Sequence, residues 1–233
     1  IQPYVLDREN FIPGKPLAPH GEERTFMGYR RLGGRGVGTR NFIVVLGTSS
    51  RTTGFARQLA TLTHKIAAGH DNIDGVVAVA HTEGGSRSKP NNRALLLRTL
   101  AGFMVHPNVG AVLAVDYGSE AVNNESLLAY MEDHDYALDA VPHRFMRIER
   151  DFVDQLEMAE AQIRTWLPVV DANKRTPESL AHLRIALQCG GSDAFSSVSG
   201  NPLVSWVAKE VIRYGGGANL AETDELIGAE PYV

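Results

Sequence analysis

Short apolar runs rich in β-branched residues alternate with longer segments whose apolar residues recur every three or four positions. This alternation constrains the chain more than any other feature. Residues 42–46, 75–81 and 110–117 are such runs, and their continuous apolar character predicts strands buried on both faces of a parallel sheet. Residues 53–68 carry Phe55, Leu59, Leu62 and Ile66 at helical spacing, and residues 92–105 and 124–133 are further predicted helices. Residues 144–148 read as a fourth strand and residues 151–167 as a long amphipathic helix. The polar stretch 171–178, which holds Pro177, reads as a loop. Strands at 183–188 and 218–222 flank a helix at 202–214. The pattern predicts an α/β fold, a mostly parallel sheet with helices on both faces in Rossmann-like layering.

Residues 1–26 include Pro3, Pro13, Pro16 and Pro19, and read as a linker or extended arm. Residues 27–233 read as one α/β domain with a sub-lobe from about residue 171. The chain has no initial Met, and an arm entering a core implies that something precedes it. Apolar residues make up 43 %, enough for a sizeable core. The net charge of -4 is mixed along the chain, so no basic stripe points to nucleic acid. No apolar run reaches the roughly 18 residues of a membrane span, and residues 1–10 lack the apolar centre of a signal peptide. Cys189 is the only cysteine, so no internal disulfide can form, which fits a reducing cytoplasm.

In a parallel sheet, ligands bind beyond the carboxyl ends of the strands. That rule selects the loops 47–53, 81–92, 117–124, 189–201 and 222–230. The glycine-rich segment 33–41 precedes a strand, whereas a dinucleotide fingerprint follows one, so no NAD is expected. It reads as a tight turn, from which Arg40 can reach a substrate carboxylate. His81, at a strand end, is a metal ligand, a general base or a capped polar residue. The segment Cys189-Gly190-Gly191-Ser192-Asp193 offers close backbone approach, a hydroxyl and a carboxylate to a ligand, or is a turn with Ser192 or Asp193 as helix cap. The acidic stretch from Glu222 to Glu230 either ligates a divalent cation or is a solvated turn.

Taken in order, several segments resemble the altronate/galactarate dehydratase family, which includes a sulfolactate sulfo-lyase large subunit. They are Gly28-Tyr29-Arg30, Gly38-Thr39-Arg40-Asn41, His81-Thr82, His106-Pro107-Asn108, Cys189 to Asp193, Asn201-Pro202, Glu222-Thr223 and Gly228-Ala229-Glu230. The resemblance implies a cytoplasmic hydro-lyase that removes water from a hexonic or hexaric acid to give a 2-keto-3-deoxy acid. It implies a divalent metal, iron or manganese, held by His81 and Glu222. His81 and Asp193 are the implied catalytic residues. Arg40, Thr48, Thr82, Ser119, Gly190, Gly191 and Ser192 are the implied substrate contacts. Implied partners are further N- and C-terminal domains or a small subunit, and a homo-oligomer.

The family pattern carries cysteines after the first three strands, where this chain has Arg51, Gly85 and Ser119. Three thiolates converging there would suit a soft metal or an iron–sulfur centre, so no such cluster is expected here. The same loss motivates an alternative: a non-catalytic homologue that binds a sugar acid or serves as a structural subunit.

Overall fold

A computed structural model describes residues 15–149, 151–188, 190, 191 and 193–222. The chain divides into two compact units. One runs from Met27 to Pro177, and the other gathers the described residues before Met27 and those from Glu178 onward.

The strands are β1 (Thr25–Arg30), β2 (Val37–Gly38), β3 (Phe42–Gly47), β4 (Gly75–Val79), β5 (Val109–Asp116), β6 (His143–Arg147), β7 (Thr176–Ser179), β8 (Arg184–Leu187) and β9 (Gly217–Leu220). The helices are α1 (Thr53–Ala67), α2 (Arg93–Met104), α3 (Asn124–Asp133), α4 (Phe152–Asp171), α5 (Ala194–Val198) and α6 (Gly200–Arg213). The predicted α/β class and parallel sheet are thus found, with nearly every predicted element in place.

The larger unit is built on a four-stranded parallel sheet in the order β4-β3-β5-β6. Successive side chains of a strand point to opposite faces, and the core divides accordingly. Ile43, Val45, Ala111, Leu113 and Val115 join α1 and α4 in one apolar cluster, through Phe55, Leu59, Ile163 and Val170. Val44, Leu46, Val112 and Ala114 join α2 and α3 in the other, through Leu97, Leu100, Met104 and Leu127. The chain moves outward from β3 to β4, then returns past β3 to β5 and β6. Right-handed crossovers then put α1 opposite α2 and α3, as the two clusters show.

Two boundaries differ from expectation. Helix α4 continues through Pro168 to Asp171 instead of ending at residue 167. Pro168 removes one helical bond, but the extra turn buries Val170 completely and lets Asp171 accept the Asn72 N–H at 2.9 Å. Thr176–Ser179, expected as loop, is a short edge strand, the place in a sheet where Pro177 is tolerated.

The amino ends of the core strands are tied by a polar knot. Asn41 is fully buried. Its Nδ2 donates to the Asn72 and Val170 carbonyls, and its Oδ1 accepts from Arg31 Nη2 at 2.9 Å. Arg31 also donates to Pro107 O and Arg40 O. Arg35, from the glycine-rich segment, donates to the carbonyls of Val105, His106, Val109 and Ala140. Burial pushes both guanidinium groups down to about 10, so they stay charged at neutral pH. Asn108 Oδ1 accepts from the Thr39 and Arg40 N–H groups, and a Cβ on Gly38 would stand 2.2 Å from the Pro107 carbonyl. The two family segments around Gly38–Asn41 and His106–Asn108 therefore hold the sheet together from below.

In the other unit, β8 and β9 pair in parallel beside α6. Residues 18–24 lie against the carboxyl end of that helix: His20 Nε2 meets Glu210 Oε2 at 2.8 Å, and Tyr214 donates to Glu22 at 3.0 Å. Helix α6 exposes Leu203, Val204 and Trp206. No helix among the described residues is long and apolar enough to cross a membrane.

Asn41→Ala removes the acceptor of one buried Arg31 N–H and one donor each from Asn72 O and Val170 O, which keep Tyr29 and Asn173 as partners, so it is expected to cost about 1–3 kcal/mol. Asn41→Asp should cost at least as much, since it turns a carboxylate toward two carbonyls. Urea unfolding followed by circular dichroism measures both; a loss under 1 kcal/mol for each would remove the knot from this role.

Candidate functional site

The core sheet changes its winding direction between β3 and β5, and the crevice beyond the carboxyl ends of those strands is where such a fold binds ligands. Three loops meet there. Ser50 N–H donates to Glu83 O at 2.7 Å, Thr53 Oγ1 to His81 O at 2.9 Å, and Ala121 N–H to Ser86 O at 2.8 Å. Arg51 Nη1 donates to Ser119 Oγ at 2.7 Å and its guanidinium lies 5.0 Å from the centre of the Tyr117 ring. A Cβ on Gly85 would stand 2.2 Å from Ser50 Oγ and 3.2 Å from Arg51 Cγ. Positions 51, 85 and 119 thus come together, as the convergence of strand ends requires. They bring a guanidinium, a bare backbone and a hydroxyl, a donor set without a thiolate that does not fit an iron–sulfur cluster.

Below the rim lie two buried carboxylates. Glu120 Oε1 accepts from Ser49 Oγ and from the Tyr117 N–H, both at 3.1 Å. Asp116 Oδ2 accepts from the Asn124 N–H at 2.8 Å, and Asn124 Nδ2 donates to Met146 O at 3.0 Å. The second oxygens, Asp116 Oδ1, Glu120 Oε2 and Asn124 Oδ1, are buried and accept no hydrogen bond. Arg147 Nε, 3.5 Å from Asp116 Oδ1, is the nearby cation. Burial holds the Asp116 carboxyl above its ordinary range and Glu120 adds to the rise, against the opposing pull of Asn124 and Arg147.

Of the residues singled out from sequence, Thr48, His81, Thr82 and Ser119 lie at this end of the sheet. Thr48 is fully buried, and its hydroxyl is taken by Val115 O at 3.2 Å. His81 Nε2 lies 3.0 Å from Gly47 O, and its Nδ1 accepts from the Glu83 N–H at 3.2 Å. Those partners select the tautomer with the proton on Nε2. Arg40 stands at the opposite, amino end of β3, donating to Thr39 O and 3.7 Å from Asp74. Gly190, Gly191, Asp193 and Glu222 belong to the other unit. There Asp193 caps α5, accepting from both Ser196 N–H and Ser196 Oγ, and Glu222 accepts from Gln188 at 3.0 Å. Cys189, Ser192 and the acidic stretch from Thr223 onward lie outside the described residues. Sequence reasoning missed Ser49, Asp116, Glu120, Asn124 and Arg147. The available signal was an aspartate closing an otherwise apolar run, with Glu120 and Asn124 at intervals of four.

No group of three or more His, Cys, Asp or Glu residues suited to a metal occurs among the described residues. His81 keeps a single lone pair, on Nδ1, which accepts from the Glu83 N–H, and Glu222 belongs to the other unit. The orphaned oxygens of Asp116, Glu120 and Asn124 are the donors whose chemistry fits a hard cation. A cavity of about 540 Å³ also opens beside β4 and α2, where His81, Glu83 and Asn92 join apolar groups such as Val79, Leu96 and Phe103. His81 thus borders this cavity, whereas Arg51 and Ser119 are not among its lining residues.

The profile described as "D-galactarate dehydratase/Altronate hydrolase, second domain" matches residues 28–171, and "D-galactarate/Altronate dehydratase, C-terminal" matches residues 180–233. The chain is 33 % identical over 229 residues to altronate dehydratase of Escherichia coli K12, covering 97 % of this chain and 44 % of that protein. It is 31 % identical to altronate dehydratase of Bacillus subtilis 168, covering 90 % and 41 %. It is 26 % identical to (2R)-sulfolactate sulfo-lyase subunit beta of Chromohalobacter salexigens, covering 90 % and 49 %. The chain thus spans less than half the length of each of these relatives.

Because the native state binds the Asp116 proton more tightly than the unfolded chain, the charged carboxylate costs stability. The cost is absent below the unfolded value, near 3.9, and grows as pH rises through the raised native value. In chelator-treated protein, Asp116→Asn should be more stable than wild type at pH 8 and close to it at pH 4. Thermal melts at the two pH values check this, and a variant less stable at pH 8 would show that the charge is already compensated.

Proposed function

The chain belongs to the D-galactarate dehydratase/altronate hydrolase family, and from that we propose that it is the catalytic portion of a sugar-acid dehydratase. Its substrate would be a hexonic or hexaric acid such as altronate or galactarate, and its product a 2-keto-3-deoxy acid. The observation that carries this reading is the meeting of three polar loops at the β3–β5 switch point, with Arg51 bonded to Ser119 beside the buried Asp116 and Glu120, and with His81 held against the end of β3.

Dehydration needs a base for the proton α to the carboxylate, charge stabilisation for the enediolate that forms, and a proton for the departing β-hydroxyl. His81 is the proposed base. Gly47 O orients the ring and fixes the proton on Nε2, which leaves the lone pair on Nδ1. That lone pair is held by a single 3.2 Å contact from the Glu83 N–H, one that a substrate C–H can displace. Using His81 as base leaves it unavailable to a metal, so the proposed holders of a divalent cation are Asp116, Glu120 and Asn124. Such a cation, iron or manganese in this family, would supply Lewis-acid stabilisation of the developing enediolate. Ser49 and the Tyr117 N–H keep Glu120 oriented, and Asn124 keeps Asp116 in place.

The proposed partners are the further domains or subunit that make up the rest of such an enzyme; one relative is itself named a subunit. A second reading, a non-catalytic homologue, draws on the capture of both His81 nitrogens and of Asp193 by nearby groups.

Incubating the full-length protein with a panel of hexonates and hexarates, with manganese or ferrous iron, and detecting 2-keto acids separates the two. Turnover is expected, with His81→Ala lowering kcat/KM by about 10²–10⁴-fold. Near-full activity in that variant would reassign the base, and no turnover of any acid would favour the non-catalytic reading. Manganese binding, followed by the loss of its free electron paramagnetic resonance signal, should be weakened by Glu120→Gln.

A further inference from the structure

We infer that Arg51 is the carboxylate anchor of the crevice, the group that makes the site select an acid over a neutral polyol. This assignment rests on the sugar-acid reading above and names the residue by which that site would recognise its ligand.

Arg51 is held by its stem and open at its head. It follows the Ser49–Ser50 turn that leads into α1, and the aliphatic part of its side chain runs close to Gly85, where a Cβ would stand 3.2 Å from Arg51 Cγ. Its guanidinium reaches across from the β3 loop to the β5 loop, donates to Ser119 Oγ and lies over Tyr117. Only one of its five N–H donors is used in those contacts. The other arginines with strong local partners are differently placed. Arg40, Arg164, Arg175 and Arg213 each stand within 4.0 Å of a carboxylate, and Arg31 and Arg35 spend their donors on the buried knot. Among the described residues, Arg51 has no such carboxylate partner although it sits at the mouth of an acidic crevice.

The electrostatics give that placement a purpose. Asp116 and Glu120 form an anionic floor that would by itself repel a carboxylate. Arg51 stands over Tyr117 on one side of the β5 loop, and Arg147 lies against Gly118 on the other. A planar guanidinium with a free N–H pair matches the two oxygens of a carboxylate. Ser119, whose oxygen already accepts from Arg51, keeps its own hydroxyl proton for one of those oxygens or for an adjacent substrate hydroxyl. Tyr117 limits the swing of the guanidinium, so less conformational freedom is lost on binding.

Isothermal titration of the full-length protein with galactarate, altronate and the neutral galactitol tests the assignment. Wild type is expected to bind at least one of the acids and not galactitol, with affinity falling as salt is raised. Arg51→Met should weaken that acid at least tenfold, the scale of a lost charge-assisted contact, while Arg51→Lys retains part of the affinity. Ser119→Ala should cost several-fold, and Arg164→Met, on the exposed face of α4, should bind as wild type does. Circular dichroism and the thermal midpoint verify that each variant is folded; should Arg51→Met unfold, Arg51→Gln and the salt dependence take its place. If folded Arg51→Met or Arg51→Gln binds the acid within twofold of wild type, Arg51 is not the anchor and the sugar-acid reading stands. If wild type binds neither acid, the anchor and the sugar-acid reading fall together.

Discussion

Everything in the larger unit follows from the complete burial of its central strands. From Val109 to Asp116, each residue of β5 is buried, and β3 is nearly the same. A strand covered on both faces and paired on both edges has no place along its length for polar chemistry, because an unpaired polar side chain there would cost several kcal/mol. Polar work is driven to the strand ends. The two ends then diverge, since one faces the turn of the crossovers and the other the incoming chain.

At the amino end, the polar groups are matched almost one for one. Asn41, Arg31, Arg35 and Asn108 spend their donors and acceptors on backbone groups that the strands leave unpaired. That is the signature of a structural knot: full satisfaction, deep burial, no capacity left for a ligand. At the carboxyl end the matching is incomplete. Asn92 Oδ1, Glu120 Oε2 and Asn124 Oδ1 are buried without a donor, Asp116 Oδ1 has only Arg147 Nε at 3.5 Å, and the Arg51 guanidinium lacks a counter-ion within the described residues. An incompletely satisfied polar cluster is costly in a folded chain, and its occurrence at a switch point, where the fold presents ligands, is what separates a site from a scaffold.

The alternation of apolar runs and amphipathic helices made the sheet and its helices legible, because burial on two faces imposes a composition that survives in one dimension. Of the loops that the rule for ligand position selected, 47–53, 81–92 and 117–124 meet at one end of the core sheet. What was not legible was direction within a motif. Arg40 sits in a family segment next to a strand, and its charge suggests a carboxylate partner. Yet the segment lies before the strand, and the strand carries it to the amino end beside Asp74. Asp193 illustrates a second limit: a carboxylate three residues before Ser196 caps a helix as readily as it holds a ligand, and here both of its oxygens are taken. Asp116 illustrates a third, since nothing in a linear sequence distinguishes an aspartate that ends a strand in solvent from one that ends it inside the protein.

The division between the two ends also bears on positions 51, 85 and 119, where the resemblance implies cysteines and this chain has Arg51, Gly85 and Ser119. Arg51 and Ser119 are exposed, and Gly85 is half-buried. None of the three belongs to either apolar cluster, so the identity of the side chain there does not enter the packing of the core. The positions still meet, because their meeting is dictated by the ends of β3, β4 and β5 and by contacts such as Ser50 to Glu83 and Ala121 to Ser86. A change at position 51 or 119 therefore resets the chemistry of the crevice without moving its walls, whereas a side chain at position 85 would have to displace that of Ser50. Replacing a thiol by a guanidinium exchanges a soft, anionic ligand for a fixed cation. A guanidinium at that point offers charge-assisted donors that match a carboxylate, where a thiolate would offer a soft ligand to a metal, and the oxygen donors of Asp116 and Glu120 lie on the buried side of the same loop.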